Sequence, residues 1–279
     1  MNSTFTIARL TFKESSRRWI LWVALVLGIA FLIVYAIGFN EIQKDMQRQG
    51  ASVPLLQFNE IYNFLTMAGL YAVNFLGIMM AVLTSVDTLS GEISSGTVHT
   101  LVSKPLGRWE IVLGKWLGFS TMLLLYLSLM AGGVLVLVYL IADYIPPNAI
   151  QGLVLIIFNA ILLLSLSLLG GSVLSTLANG VLVFGLYSIA FIGGWIEQFG
   201  TLLHNQTAIN IGVISSLILP SEAIWKRAAY EMQSPMVAAL GFSPFVSNVV
   251  PSLLMMVYAV LFTLAALYLA IRLFSRRDL

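Results

Sequence analysis

Residues 144–196 run for 53 positions without a single Lys, Arg, Asp or Glu. A bilayer core about 30 Å thick is crossed by roughly 20 helical residues rising 1.5 Å each, so this stretch holds two crossings and a tight connection. Four further charge-free stretches lie at 19–39, 61–86, 116–142 and about 252–271. Six spans are therefore predicted. Composition points the same way: of 279 residues 59% are hydrophobic and 9% charged, with a mean hydropathy of +0.95. A soluble domain carries roughly 25% charged residues to cover its watery surface. The expected fold class is an all-α membrane protein with six transmembrane helices in a single transmembrane domain, 1–279.

The connections carry their own signals. Pro146 and Pro147 open the long uncharged stretch, and the Asn179-Gly180 pair is expected to supply the turn inside it. If the N-terminus is cytoplasmic, ten basic residues (Arg9, Lys13, Arg17, Arg18, Lys104, Arg108, Lys115, Arg272, Arg276 and Arg277) fall on the inner side. Only four, Lys44, Arg48, Lys226 and Arg227, fall outside. This excess on the inner side predicts that both termini are cytoplasmic. Arg17-Arg18 ahead of a 21-residue apolar run resembles a leader, but a cleaved leader has a shorter apolar region, so an uncleaved first span is expected.

Two segments are neither span nor simple loop. Residues 1–18 mix Phe5, Ile7, Ala8, Leu10 and Phe12 with four basic residues, the pattern of an interfacial amphipathic helix whose cations reach anionic headgroups. Residues 197–251 form an extracytoplasmic segment. Its apolar run 209–219 is too short to cross, which predicts short or re-entrant helices, and Ser221 is placed to cap the second of them.

Chemistry is conspicuous by its scarcity. No ionisable residue lies in the middle of a predicted span; Asp87, Asp143 and Glu197 are expected at span ends, within reach of water. His99 and His204 are the only histidines and fall on opposite sides, and there is no Cys, so neither a metal site nor a nucleophile is predicted. The eleven methionines read as core packing. Gly114-Lys115 is the nearest approach to a phosphate-binding loop, but Trp109 and Trp116 stand where glycine and a hydroxyl residue are required. No catalytic, cofactor-binding or metal residue is assigned. A net charge of +2 gives no reason to expect nucleic acid.

The loop 86–115 is the informative segment. Gly91 and Gly96 permit sharp turns, and about two helical turns fit between Gly96 and Pro105, with Val98, Leu101 and Val102 on one face. Such a helix fits a groove on a soluble partner; it fits equally a position flat on the inner leaflet. Ser167, Gly171 and Ser175 recur every four residues, and Gly114 and Gly118 form a further small pair, spacings that let helices approach closely within one subunit.

The run Ser90-Gly-Glu-Ile-Ser-Ser-Gly-Thr-Val, followed by Leu-Val-Ser-Lys-Pro-Leu-Gly-Arg-Trp-Glu-Ile-Val-Leu-Gly-Lys115, resembles the signature of ABC-2 type transporter permeases. It is similar above all to the subgroup that contains the permease of nitrous oxide reductase maturation. The resemblance implies a type V exporter-like permease in a bacterial or archaeal inner membrane, pairing with a second copy of itself and with a separate ABC ATPase that holds ATP and Mg. It also implies that Glu92, Gly96, Thr97, Val98, Leu101, Val102, Pro105 and Arg108 form the ATPase-coupling element. Glu92 would meet a basic residue of the ATPase; Arg108 and Lys115 would reach headgroups or an acidic patch. The chain itself would not be an enzyme.

Three functions compete at this level. The first is the membrane subunit of an ABC exporter whose substrate (lipid, peptide, drug, polysaccharide or metal complex) stays open. A second is a mechanical transmitter acting through 197–251 on an extracytoplasmic partner protein without moving solute. The third is an ATP-independent secondary transporter or channel, against which the absence of mid-span charge argues.

Overall fold

The computed structural model describes residues 3–48, 55–94, 107–234, 245 and 250–276. The described residues form ten helices: α1 Ser3–Ser15, α2 Trp19–Arg48, α3 Leu55–Ser85, α4 Ser90–Ser94, α5 Arg108–Ala142, α6 Ala149–Gly171, α7 Thr176–Leu202, α8 Gln206–Ile218, α9 Ser221–Met232 and α10 Leu253–Arg276. Six of them, α2, α3, α5, α6, α7 and α10, are long and apolar enough to cross a bilayer. In hydrocarbon every backbone polar group must be satisfied within the chain, and an α-helix does this alone.

Helix ends follow local chemistry. After α5, Asp143 takes a left-handed conformation (φ 50°), and its amide donates to the Tyr139 carbonyl. Pro146 and Pro147 then keep the chain from resuming a helix before Ala149. The α6–α7 connection lies at 172–175, not at Asn179-Gly180 as the turn chemistry predicted. Asn179 instead sits buried in the first turns of α7, where its Nδ2 donates to the carbonyls of Ser167 (2.9 Å) and Val86 (3.1 Å). A side-chain amide in a dry interior is worth more as a three-helix tie than as a turn former.

The core is built around α3, α5 and α6, with Met67, Met80, Phe119, Leu123, Leu127, Met130, Leu163 and Leu164 fully buried. Polar ties set register within it. Asn159 Nδ2 donates to Asn74 Oδ1 at 3.0 Å, and Trp116 Nε1 to Ser165 Oγ at 2.9 Å. Each such bond within a membrane averages only about 0.6 kcal/mol, so their service is alignment more than stability. Helix α2 differs: only Gly28 and Phe39 of its 30 residues are buried, Leu25, Phe31 and Leu32 pack half-buried against the core, and Val26, Leu27, Ile33, Val34 and Ile37 face outward.

The two faces of the bundle are unlike. One carries α1, α4, the start of α5 and the end of α10; because α1 and the last basic residues gather there, it is called the basic face. The opposite face carries the bent pair α8–α9, whose axes meet at 107°. Asn205 caps α8, its Oδ1 accepting from the amides of Thr207 and Ala208. Ser221, expected as a cap, is instead the first residue of α9, and its hydroxyl is buried without a hydrogen bond among the described residues. Asn63 of α3 holds the far end of α9, donating to the Met232 carbonyl (2.9 Å) and to Tyr144 Oη (2.8 Å). Neither α8 nor α9 is long enough to cross alone; together they form a sharply bent helical hairpin.

Glu197 was expected at a watery span end. It lies inside α7 and is buried, 2.6 Å from Lys226 Nζ on α9. The hairpin brings that lysine from 29 residues away.

Helix α1 packs against the start of α5. A Cβ on Gly114 would lie 2.6 Å from Ile7 Cβ, and one on Gly118 would lie 2.7 Å from the Ala8 carbonyl. The small face of α1 (Thr4, Ala8, Thr11, Ser15) thus sits directly on α5, while Phe5 and Leu10 point away. Gly118→Val should force the two helices apart and lower stability by about 1–3 kcal/mol. A thermal melt in detergent checks this, with Gly132→Val, where an added Cβ meets nothing within 4 Å, as the neutral control.

Candidate functional site

The end of α3 is shaped by hydroxyls. Thr84 Oγ1, Ser85 Oγ, Thr88 Oγ1 and Ser90 Oγ each donate to the carbonyl four residues earlier, at 2.7, 2.6, 3.2 and 2.9 Å. Back-bonding of this kind loosens and bends a helix, and here α3 gives way to a turn at 86–89 before the single turn of α4. The corner so formed is tied to its neighbours by side chains. Thr176 Oγ1, at the start of α7, donates to Asp87 Oδ1 at 2.9 Å and lies 2.9 Å from Ser90 Oγ. Asn179 holds the Val86 carbonyl from the same helix.

Glu92 then secures α4 to α5. Its Oε1 lies 2.5 Å from Lys115 Nζ, with the Lys115 side chain 6% exposed and that of Glu92 22%. The structure therefore assigns Lys115 a different task from the one expected. It is buried, and its charge is answered by Glu92 inside this chain. A charge placed near the hydrocarbon is costly, and the paired carboxylate offsets that cost.

The returning strand of the loop is fixed as well. Gly107 donates its amide to Glu110 Oε2 at 2.9 Å, starting α5, and Arg108 Nη1 donates to the Ser275 carbonyl on the last turn of α10 at 3.1 Å. The segment 95–106 leaves from a corner bound to α5 and α7 and returns to a helix bound to α1 and α10. Of the residues predicted to form the coupling element, Glu92 and Arg108 stand at these two anchors. Gly96, Thr97, Val98, Leu101, Val102 and Pro105 lie outside the described residues, as does His99.

Sequence reasoning missed Thr176 and Asn179 as members of this site, and it placed Asp87 and Lys115 in the loop without their partners. The spacing between Glu92 and Lys115 has no local period, so only the folded corner reveals the pair. A hint lay in the cluster of hydroxyl and acidic residues at 84–92, which is dense for the end of a span.

Six charge-poor spans, a helix lying across the basic face and a corner anchored to α5 and α7 define a multi-pass membrane protein. The chain belongs to the ABC-2 family of transporter proteins, whose model, described as "ABC-2 family transporter protein", matches residues 5–279. Over 132 residues it is 33% identical to the "Probable ABC transporter permease protein NosY" of Stutzerimonas stutzeri. That match covers 45% of this chain and 41% of the relative, so the chain spans well under half of the relative it matches.

Lys115→Met leaves Glu92 without its cation in a partly buried place and should lower stability by about 1–3 kcal/mol, the partial exposure of Glu92 screening the full cost. Adding Glu92→Gln should recover much of the loss. Thermal melts of the two single variants and the double variant check the pairing.

Proposed function

We propose that this chain is the permease subunit of an ATP-binding cassette exporter, driven by a separate ATPase subunit that binds at the basic face. The observation that carries the reading is the anchoring of 95–106 at both ends. A push on that segment reaches α5 through Glu92–Lys115, α7 through Asp87–Thr176 and Asn179, and α10 through Arg108. Mechanical coupling needs stiff joints between the loop and several spans, and these are such joints. ATP and Mg belong to the partner; this chain hydrolyses nothing and serves as a lever.

The family supports the rest of the assembly. A second copy of the chain is the natural neighbour of α2, whose apolar surface has little to pack against within one subunit. The protein then sits in a bacterial or archaeal inner membrane with both termini cytoplasmic, in keeping with ten basic residues against four. A fluorescent-protein fusion at residue 279 should glow, and an alkaline phosphatase fusion after residue 49 should be active. The opposite pattern would reverse the orientation.

Coupling is tested on the complex copurified with its ATPase. The chain has no cysteine, so a spin label placed by a single substitution on the hairpin face reports cleanly. Addition of ATP should shift the label-to-label distance between the two copies. Val98→Asp and Glu92→Ala should abolish the shift while the protein still inserts; an undiminished shift in both would remove 86–115 from the coupling role.

A further inference from the structure

The α8–α9 hairpin is seated on the bundle through three charged side chains, two of them acidic. Lys226 of α9 pairs with Glu197 of α7 at 2.6 Å, both side chains at most 6% exposed. Glu222 lies one turn before Lys226 on the same face of α9, itself only 8% exposed. It packs so tightly on α7 that a Cβ on Gly194 would collide with its side chain. One buried lysine thus faces two buried carboxylates.

Among the described residues no other cation restores the balance. From α3 and α7 the groups facing Glu222 are the phenols of Tyr71 and Tyr187. Helices α6 and α8 contain no acidic, basic or histidine residue at all. The hydroxyl of Tyr258, on α10, donates to the Leu217 carbonyl at 2.5 Å. On α9 itself, Arg227 pairs with Glu231 at 2.5 Å and lies over the Tyr230 ring. A carboxylate buried without its own cation takes up a proton instead of remaining charged.

We propose that Glu222 is a proton-binding site that latches the α8–α9 hairpin to α7: with its proton the hairpin is seated, and without it the hairpin lifts away. A cavity of about 220 Å³ beside the Glu197–Lys226 pair, lined also by Ser216, Ser252 and Met255, gives water a place next to the cluster. The titration falls in a useful range. Burial first, and Glu197 in addition, push the Glu222 carboxyl from its ordinary 4.5 up to about 7, against the opposing pull of Lys226.

The sign follows from proton binding. A lifted hairpin exposes Glu222 to water, where it titrates at its ordinary value; the seated hairpin holds the proton up to about pH 7. Seating is therefore firmest at acid pH, weakens as pH rises through this window, and is level above it. Neutral pH sits at the weak end.

Hydrogen exchange of the full chain in lipid nanodiscs tests this without nucleotide or partner, so its outcome is independent of the exporter reading. After correction for intrinsic exchange, opening of 206–232 should rise on the order of a hundredfold from pH 5 to 7 and then flatten. Glu222→Gln should hold the low-pH protection throughout. A flat wild-type profile, or an unchanged slope in Glu222→Gln, would overturn the proposal. Should that variant fail to insert, Glu197→Gln serves: Lys226 then answers Glu222 alone, the slope moves to lower pH, and a slope that stays in place overturns the latch.

Discussion

Charge is expensive in hydrocarbon, roughly 2.5–3.5 kcal/mol for a lone Asp, Lys or Arg at the centre of a span. Most of this architecture follows from that cost. The membrane-crossing stretches are stripped of charge, and the buried charges of the described bundle, Lys115, Glu197, Lys226 and Glu222, are gathered into two places. At the basic face Lys115 meets Glu92; at the opposite face Lys226 meets two glutamates. Each place is also where a segment outside the bundle is fastened to it. Electrostatic cost and mechanical attachment coincide.

The two fastenings differ in kind. The Glu92–Lys115 pair sets one charge against one, and its corner is reinforced by hydrogen bonds from Thr176 to the Asp87 carboxylate and from Asn179 to the Val86 carbonyl. The hairpin cluster is unbalanced by one carboxylate, which makes its strength conditional on a proton.

Much of the fold was readable from the chain alone. Charge-free runs marked all six spans, although helix limits moved: α2 continues through Glu41 and Lys44, and the α6–α7 connection falls at 172–175. The spacing of Gly114 and Gly118 signalled close packing, and α1 is what they receive. What was not readable depended on contacts between distant residues. Asn179-Gly180 carries local turn chemistry, but Asn179 is claimed by two carbonyls from other helices. Glu197 looked like a water-facing span end because its lysine lies beyond a bend of 107° that no periodicity announces. Lys115 looked like a headgroup anchor because the positive-inside pattern counts cations without asking which are already paired. Glu92 and Arg108 were picked out through the family signature; the contacts they make within the chain, to Lys115 and to the Ser275 carbonyl, were not readable from spacing.

A photoreactive amino acid introduced at position 98 tests most directly whether force enters through this loop. In native membranes, illumination should join the chain to a polypeptide that hydrolyses ATP, and the same residue placed at position 140 should not. Label captured only by lipid at position 98, with an ATPase still copurifying, would contradict the account and place the point of contact elsewhere.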